Sequence, residues 1–349
     1  MIKELSGYLI AKWKRIIKPT SDKSGTDAIV KIIESEKGAV GPEQYKLCEE
    51  YAEDVFGWIG YAKWLKVYTA IQGEFKEGWI PDNYYGKHVV PKINRSYGRI
   101  SGMRPLASQL VNAEGMPDLL YLVNGMYYSR LWEYIPPEKV KDVLFSENDI
   151  IVFKASGSLQ GRGVKVLTSA EFDVNEMQSA RNGVFQAFIK QHDWFNVFMP
   201  YSVVTLRVTS VLERTGCVSC RAAYLRIGRS DDTHVQSANA IKVSTDLNTG
   251  QLHETGYLPN WSSVHCHPDT KTVFKDRVVP KFSECLKFAE RLHKGLPYCQ
   301  SIGWDLAIGQ SEEIFLMEWN GGHNDIKFSE ATTGPCFADL GWEKMHLDR

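Results

Sequence analysis

The chain has 349 residues, 43% hydrophobic and 24% charged, a length and composition that suit one large core or two to three smaller ones. Lys and Arg number 41 against 42 Asp and Glu, a formal net charge of -1, which excludes a global basic field for nucleic acid and the acidic excess of a disordered chain. Aromatic residues make up 12%, a content that goes with extensive packing or with flat polar ligands such as sugars and bases.

Residues 2–18 read as a basic amphipathic helix. Ile2, Leu5, Leu9, Trp13 and Ile16 recur at helical spacing, and Lys3, Lys12, Lys14, Arg15 and Lys18 lie off that stripe. Such a helix either packs on the domain with its lysines solvated or lies on a membrane surface. No apolar run reaches the ~20 residues of a membrane span, and Lys12, Lys14 and Arg15 break the first apolar stretch, so no signal peptide is expected. Pro19 to Gly25 has linker composition. Gly41 to Gln72 carries a long helical pattern that Gly57 and Gly60 can interrupt, residues 73–100 read as irregular, and Pro105 to Glu114 reads as a helix. Strands are expected at Leu119–Val123 and Tyr127–Leu131.

Beyond that point strands dominate. They are expected at Ile150–Lys154, Gly163–Leu167, Val184–Ile189, Val203–Glu213, Ser219–Ile227, Gly303–Ile308 and Ile314–Trp319, with an amphipathic helix over Pro280–Leu296. The seven cysteines are scattered. Cys217 and Cys220 have CxxC spacing and Cys266 sits between His265 and His267, but neither group completes a four-ligand set, and reduced thiols suit the cytosol.

Four segments carry chemistry. In the first, a strand ends at Lys154 and runs into a loop with Gly157, Gly161 and Gly163. Glycines let backbone N–H groups approach phosphate oxygens, and Lys154 adds a full positive charge. The loop is neither a Walker A sequence nor a GxGxxG turn before a helix, and a plain glycine-rich hairpin would look the same. In the second, Glu318 and Asn320 are two apart in an extended segment and so share a face. If the preceding strand pairs with it, Asp305 joins them, and two carboxylates with an amide oxygen are hard ligands suited to Mg²⁺. The third is the strand end Gln186-Ala187-Phe188-Ile189 with His192, whose backbone can meet an adenine edge. The fourth is Thr205-Leu206-Arg207-Val208-Thr209, where alternation puts Arg207 between two threonines on one face, placed to bind a γ-phosphate or a carboxylate.

Taken in this order, the Lys and glycine-rich loop, the strand end, the Thr-x-Arg strand and the Asp…Glu-x-Asn set resemble the ATP-grasp superfamily. Gln191-His192, then Pro200-x-Ser202-x-x-Thr205-x-Arg207, then Gly303-Trp304-Asp305 resemble more narrowly its sugar-transfer associated family, over roughly residues 80–345. The resemblance implies an α+β ATP-grasp fold, two α+β subdomains clamping ATP, with an N-terminal helical region. It divides the chain into a helical region at 1–80, an N-terminal part of the core at 81–118, a lid at 119–189 and a C-terminal subdomain at 190–349. It places Lys154 on the ATP phosphates, Gly157 to Gly163 as a covering loop, residues 186–189 at adenine, Asp305, Glu318 and Asn320 on Mg²⁺, and Arg207 near the transferred phosphate. An earlier cation of the family has Lys92, Arg99 and Arg104 as candidates, and Gln186 stands where Glu is usual.

The activity so implied is a cytoplasmic ATP-dependent carboxylate–amine ligase that forms an acyl-phosphate and acts on a sugar acid or amino acid in surface-polysaccharide assembly, at the inner face of the membrane where residues 2–18 are read as a membrane contact. Arg207, Lys242, His323 and Asn324 are the candidate substrate contacts. A kinase of a hydroxyl substrate and a catalytically silent nucleotide-binding protein are the competing readings.

Overall fold

A computed structural model describes residues 25–157, 163–229 and 239–347. The amphipathic segment 2–18 lies outside the described residues, as do residues 158–162 of the glycine-rich loop, Gly161 among them.

Three helices open the described chain: α1 (Thr26–Lys37), α2 (Pro42–Phe56) and α3 (Ala62–Gln72). Pro42 starts α2 at a position where its missing N–H leaves no bond unmade. Gly57, at φ 72°, ends it in the left-handed region, and its N–H returns to Ala52 and Glu53. The long pattern is therefore split where glycine allows a reversal, with a 3₁₀ turn at Ile59–Tyr61 before α3.

The irregular stretch expected at 73–100 is corrected by the structure. Asp82 to Ile93 wind as successive helical turns, a π-type turn at Tyr85–Val89 among them, and Tyr97–Gly102 form a 3₁₀ helix. The Gly, Pro and Asn content suggests a loop, but Tyr84, Tyr85, Val89, Val90 and Ile93 are buried. Burying side chains of this size contributes about 1.5–3 kcal/mol each, enough to override weak local propensity. A short helix α4 (Arg104–Leu110) then leads into the first sheet.

That sheet has six strands: β1 (Asp118–Val123), β2 (Met126–Ser129), β3 (Tyr134–Ile135), β4 (Ile150–Ala155), β5 (Val164–Thr168) and β6 (Gly183–Ala187). Their order is β3-β2-β1-β6-β4-β5. Helices α5 (Pro137–Phe145) and α6 (Val174–Ser179) contribute Val140, Leu144 and Met177 to a core with Leu120, Phe153 and Phe185. Residues directly opposed in antiparallel strands share a face. Val152 opposes Gln186 and Lys154 opposes Val184, so Lys154 and Gln186 lie on the face away from this core.

The second sheet has seven strands in the order β11-β10-β9-β8-β7-β12-β13. They are β7 (Thr205–Leu212), β8 (Val218–Ile227), β9 (Ile241–Thr245), β10 (Leu252–Tyr257), β11 (Ser263–Val264), β12 (Ser301–Ile308) and β13 (Ile314–Asn320). Leu206, Val208, Leu225, Val243, Trp304 and Trp319 pack with helix α7 (Phe282–Lys294), which buries Phe282, Cys285, Phe288, Ala289 and Leu292 along one stripe.

A third core joins the two ends of the described chain. Trp64, Tyr68, Trp79, Tyr84 and Tyr85 pack with Phe328, Ala331, Phe337 and Trp342, residues in and after helix α8 (Lys327–Thr333). Glu330 pins this junction while fully buried. Its carboxyl oxygens accept the N–H of Ile80 at 2.6 Å and of Cys336 at 2.7 Å, and its carbonyl accepts Trp79 Nε1–H at 2.8 Å. Burial raises its pKa well above the ordinary carboxyl range, against the pull of those two N–H groups.

Candidate functional site

The site is built from the register of the second sheet. Ser244 opposes Tyr224, Tyr224 opposes Arg207, Arg207 opposes Asp305, and Asp305 opposes Glu318. Antiparallel partners share a face, so these five residues form one row across five strands, opposite the face packed on α7. Asn320 opposes Gly303 and lies on the same face. The expected gathering of Asp305 with Glu318 and Asn320 thus follows from pairing of β12 with β13. A bulge falls between Asp305 and Leu306: Asp305 opposes Glu318, but Leu306 opposes Leu316, which leaves Met317 as the extra residue.

Asp305 is held more tightly than its sequence context suggests. Arg207 Nε donates to Oδ1 at 2.5 Å and Nη2 to Oδ2 at 2.9 Å, a forked pair, and Arg226 Nη1 donates to Oδ2 at 3.0 Å. Burial alone would push the Asp305 carboxyl up, but Arg207 and then Arg226 outweigh it and hold the carboxyl well below its usual range. Arg207 loses solvation in the same place, and Asp305 more than restores its charged form. Arg207, expected near the transferred phosphate, therefore spends its fork on Asp305, while its Nη1 donates to the carbonyl of Asn324 at 3.2 Å.

Lys154 comes from the first sheet to the same place. Its Nζ donates to the carbonyl of the bulged Met317 at 3.4 Å. Burial, and next the charge of Arg104, lower the Lys154 pKa to about 8. Arg104 Nη1 lies 3.3 Å from Glu318 Oε2, and its Nε donates to the carbonyl of Ala155 at 3.2 Å. Of the three candidates for an earlier cation, the structure brings only Arg104 here: Lys92 bonds the carbonyl of Met345, and Arg99 is exposed. Four cationic side chains, Arg104, Lys154, Arg207 and Arg226, thus surround two carboxylates, Asp305 and Glu318. That excess of positive charge suits a polyphosphate.

The donor set also fits a hard cation. Glu318 and Asn320 project together from β13, and Asn320 Nδ2 turns toward the carbonyl of Gly303 at 3.5 Å, which leaves the amide oxygen as the outward group. No cluster of three His, Cys, Asp or Glu able to hold a metal occurs among the described residues; this set counts an amide oxygen, and its Asp305 is shared with two arginines.

At the strand end, Gln186 Nε2 donates to Asp118 Oδ1 at 2.7 Å. Both side chains are buried, and Asp118 Oδ2 and Gln186 Oε1 have no hydrogen-bond partner among the described residues. Two buried acceptors without a partner call for a donor. Ala187 N–H is bonded to the carbonyl of Pro117 at 2.8 Å. Phe188 and Ile189 line a cleft of about 240 Å³ with Gln191 and Ser202, whose Oγ also has no partner among the described residues. His192 instead caps the turn Asp193–Asn196, its Nδ1 accepting the N–H of Trp194 at 3.1 Å. In the glycine-rich loop, Gly157 has φ 72° and donates its N–H to the carbonyl of Gly102 at 2.9 Å, while the carbonyl of Gly163 accepts the N–H of Ala155.

The loop after Asn320 is fixed from both sides. Asn94 Nδ2 donates to the carbonyl of Gly321 at 2.7 Å. The chain of Gly98 passes so close that an added Cβ would lie 2.1 Å from the same oxygen. Asn324 is buried, accepting Tyr85 O–H at 2.7 Å and donating to Ser301 Oγ at 3.0 Å. Lys242 Nζ lies 2.9 Å from Asp325 Oδ2, and His323 Nδ1 accepts the N–H of Asp325 at 3.2 Å. Lys242 therefore stands across from Arg226 on the neighbouring strand, His323 sits 3.7 Å from Asp82, and the Asn324 side chain serves the scaffold. Sequence reasoning missed Arg226 and Asp118; only Arg226 had a readable signal, since it alternates with Tyr224 along β8.

The profile of the family described as sugar-transfer associated ATP-grasp matches residues 136–337, more than half of the chain. No curated protein matches. Among solved structures, N5-carboxyaminoimidazole ribonucleotide synthetase from Thermotoga maritima is similar at 11% identity and a TM-score of 0.36, over 66% of this chain and 44% of its own. Biotin carboxylase from Campylobacter jejuni is similar at 12% identity and a TM-score of 0.42, over 70% of this chain and 45% of its own. The ATP-grasp ligase PsnB, solved with a minimal precursor, is similar at 14% identity and a TM-score of 0.41, over 72% of this chain and 63% of its own. The chain spans about half the length of the first two and under two thirds of the third.

Proposed function

This chain belongs to the sugar-transfer associated ATP-grasp family, and from that premise we propose that it is an ATP-dependent ligase joining a carboxylate to an amine through an acyl-phosphate. The observation that carries the reading is the opposition of Asp305 and Glu318 under four converging cations, one of them, Lys154, brought from the other sheet.

A substrate carboxylate oxygen attacks the γ-phosphorus of ATP, the bond to the bridging oxygen breaks, and ADP leaves with its electron pair. Both reactants are anionic, so the residues' main task is neutralisation and alignment. Lys154 and Arg104 bind phosphate oxygens. Arg207 acts as a positioning residue that fixes Asp305, with Arg226 beside it. Glu318, Asn320 and Asp305 would hold Mg²⁺, which supplies charge neutralisation of the phosphates. Asp118 and Gln186 accept the exocyclic N–H of adenine, with the backbone of 187–189 at the base edge. Residues 157–163 cover the phosphates and exclude water from the acyl-phosphate. We take residues 119–189 as the lid and 190–349 as the C-terminal subdomain that it closes upon.

For the substrate class we propose a uronic acid amidated by an amino acid, or an amino acid joined to an amino sugar, in cytoplasmic assembly of a surface polysaccharide, a reading supported by the sugar-transfer association in the family's description. No helix among the described residues is long and apolar enough to cross a membrane. The test is ADP release from ATP and Mg²⁺ across sugar acids and amino acids, with mass spectrometry of the product. Acid plus amine less one water is the expected mass. A stable phosphorylated product would overturn the reading in favour of a kinase.

The Lys154 pKa of about 8 gives this reading a pH signature. In the free protein the ammonium loses its proton as pH rises through that value, and with it the attraction to phosphate. The expected result is a fall in kcat/KM for ATP above pH 8, approaching tenfold per pH unit. Lys154→Arg, which keeps its charge, removes that limb; a pH–rate profile unchanged by the substitution would show that another group titrates.

A further inference from the structure

The pairing of β12 with β13 stops at the rung Gly303–Asn320. Past it, a side chain from a distant part of the chain takes the place of the ladder. Asn94 follows the helical turn Val90–Ile93 and is 1% exposed. Its Nδ2 donates to the carbonyls of Ser301 and Gly321, both at 2.7 Å. Its Oδ1 accepts the N–H of Gln300 at 2.8 Å and of Ser301 at 3.1 Å. A primary amide offers two donors and two acceptor sites, and Asn94 uses all four on backbone. Asp, the same shape, has no donor to give.

Gly321 is held at its other end as well. Its N–H donates to Ser101 Oγ at 3.3 Å, and that hydroxyl donates to the carbonyl of Gly98 at 2.7 Å. Gly98 passes so close to Gly321 that an added Cβ would collide with the Gly321 carbonyl oxygen. Both polar groups of the Gly321 backbone therefore end on residues 94–101. The rigid peptide that joins Asn320 to Gly321 includes the Gly321 nitrogen, so holding that nitrogen holds the backbone from which Asn320 projects. On the other side of Asn320, Glu318 pairs with Arg104 from the same stretch. Residues 94–104 thus bracket Asn320, and they lie outside the matched residues 136–337. The Asn320 amide reaches the Gly303 carbonyl only at 3.5 Å, a bond that orients it weakly, so its aim depends mainly on its backbone.

We propose that Asn94 and Ser101 are positioning residues for the cation site: they fix the Gly321 backbone and through it hold Asn320 beside Glu318 and Asp305. The proposal rests on the ligase reading above, which puts Mg²⁺ on those three side chains. Groups that orient a ligand without touching the ion are worth roughly 10–100-fold in metal affinity.

The test measures binding of Mn²⁺, a paramagnetic stand-in for Mg²⁺, to the full chain with ADP present, read from the loss of the free-ion electron paramagnetic resonance signal. Asn94→Asp keeps both acceptors and removes both donors, and its Kd for Mn²⁺ should rise at least ~10-fold. The added negative charge would by itself favour a cation, so weaker binding reads the lost donors. Ser101→Ala should raise the Kd about 2- to 10-fold, the range of one hydrogen bond, and Ser101→Thr, which keeps the hydroxyl, should restore it. ADP affinity without metal should stay at the wild-type value in all three. Ser101 is partly exposed, so its variants stay folded and decide the matter if Asn94→Asp does not fold. Wild-type Mn²⁺ affinity in Ser101→Ala, or a loss that Ser101→Thr does not reverse, overturns the proposal; a loss in Asn94→Asp alone then reads as damage to the fold. A wild-type protein that binds no Mn²⁺ with ADP removes the cation site itself, and with it the reading on which the proposal rests.

Discussion

Glu318→Ala is expected to lower ADP release by roughly 10³-fold or more, as losing a pre-placed electrostatic group in a water-excluded site does. Glu318 stands on the bulged segment, directly across from Asp305 and beside Asn320, and its side chain is 35% exposed. Its recorded ion pair, with Arg104 at 3.3 Å, is partly solvated. Removing a pair of that kind costs about 1 kcal/mol or less, so the variant should stay folded while losing turnover. Calorimetry should show that Mg²⁺ no longer tightens ATP binding. Glu313, exposed in the turn just before β13, supplies the control: Glu313→Ala should leave turnover within about twofold, as surface changes do. Equal turnover in wild type and Glu318→Ala would sink the assigned site.

Arg207→Met should instead damage folding and activity together. It deletes both arms of the fork on Asp305 and the bond to the Asn324 carbonyl, and leaves Asp305 buried with Arg226. Taking one partner from a buried pair costs about 3–5 kcal/mol, and the lower figure applies because one guanidinium remains. Denaturant unfolding at pH 7 reads that loss. The pH dependence has a fixed sign. Arg207 depresses the folded pKa of Asp305, so its contribution is complete above the unfolded value of about 3.9 and fades as pH falls toward the folded one. The deficit of Arg207→Met should therefore be full at pH 7 and shrink below about pH 4. Arg207→Lys keeps a charge but not the fork, and should fall between the two. A variant as stable as the wild type at neutral pH would contradict the buried pairing.

The sequence made the sheet strands near the site legible because their signal is local. Glu318 and Asn320 are two apart, Arg207 alternates with two threonines, and each strand is framed by turn residues. Pairing of β12 with β13 needed only the short turn at 309–313. What escaped was set by contacts far along the chain. Arg104 stood among three candidate cations, but its pairing with Glu318, more than 200 positions away, had no local mark that set it apart from Lys92 and Arg99. Asp118 merely precedes an apolar strand. The turns at 82–93 are helical because aromatic burial outweighs a loop-like composition. The strands β9 and β10 are short and mixed in character, and only their neighbours on both sides make them strands.

The junction that Glu330 pins has a practical meaning for anyone who would shorten the gene. An excised piece cut to 136–337 would bare Phe328, Ala331 and Tyr224, which in the intact chain rest against Trp64, Tyr68 and Trp79. It would also drop Arg104, Asn94 and Tyr85, the props behind Glu318 and the turn that follows it. Such a truncation would come out of a cell as insoluble material rather than as a miniature enzyme, so the recognisable stretch of sequence is smaller than the unit that can stand alone.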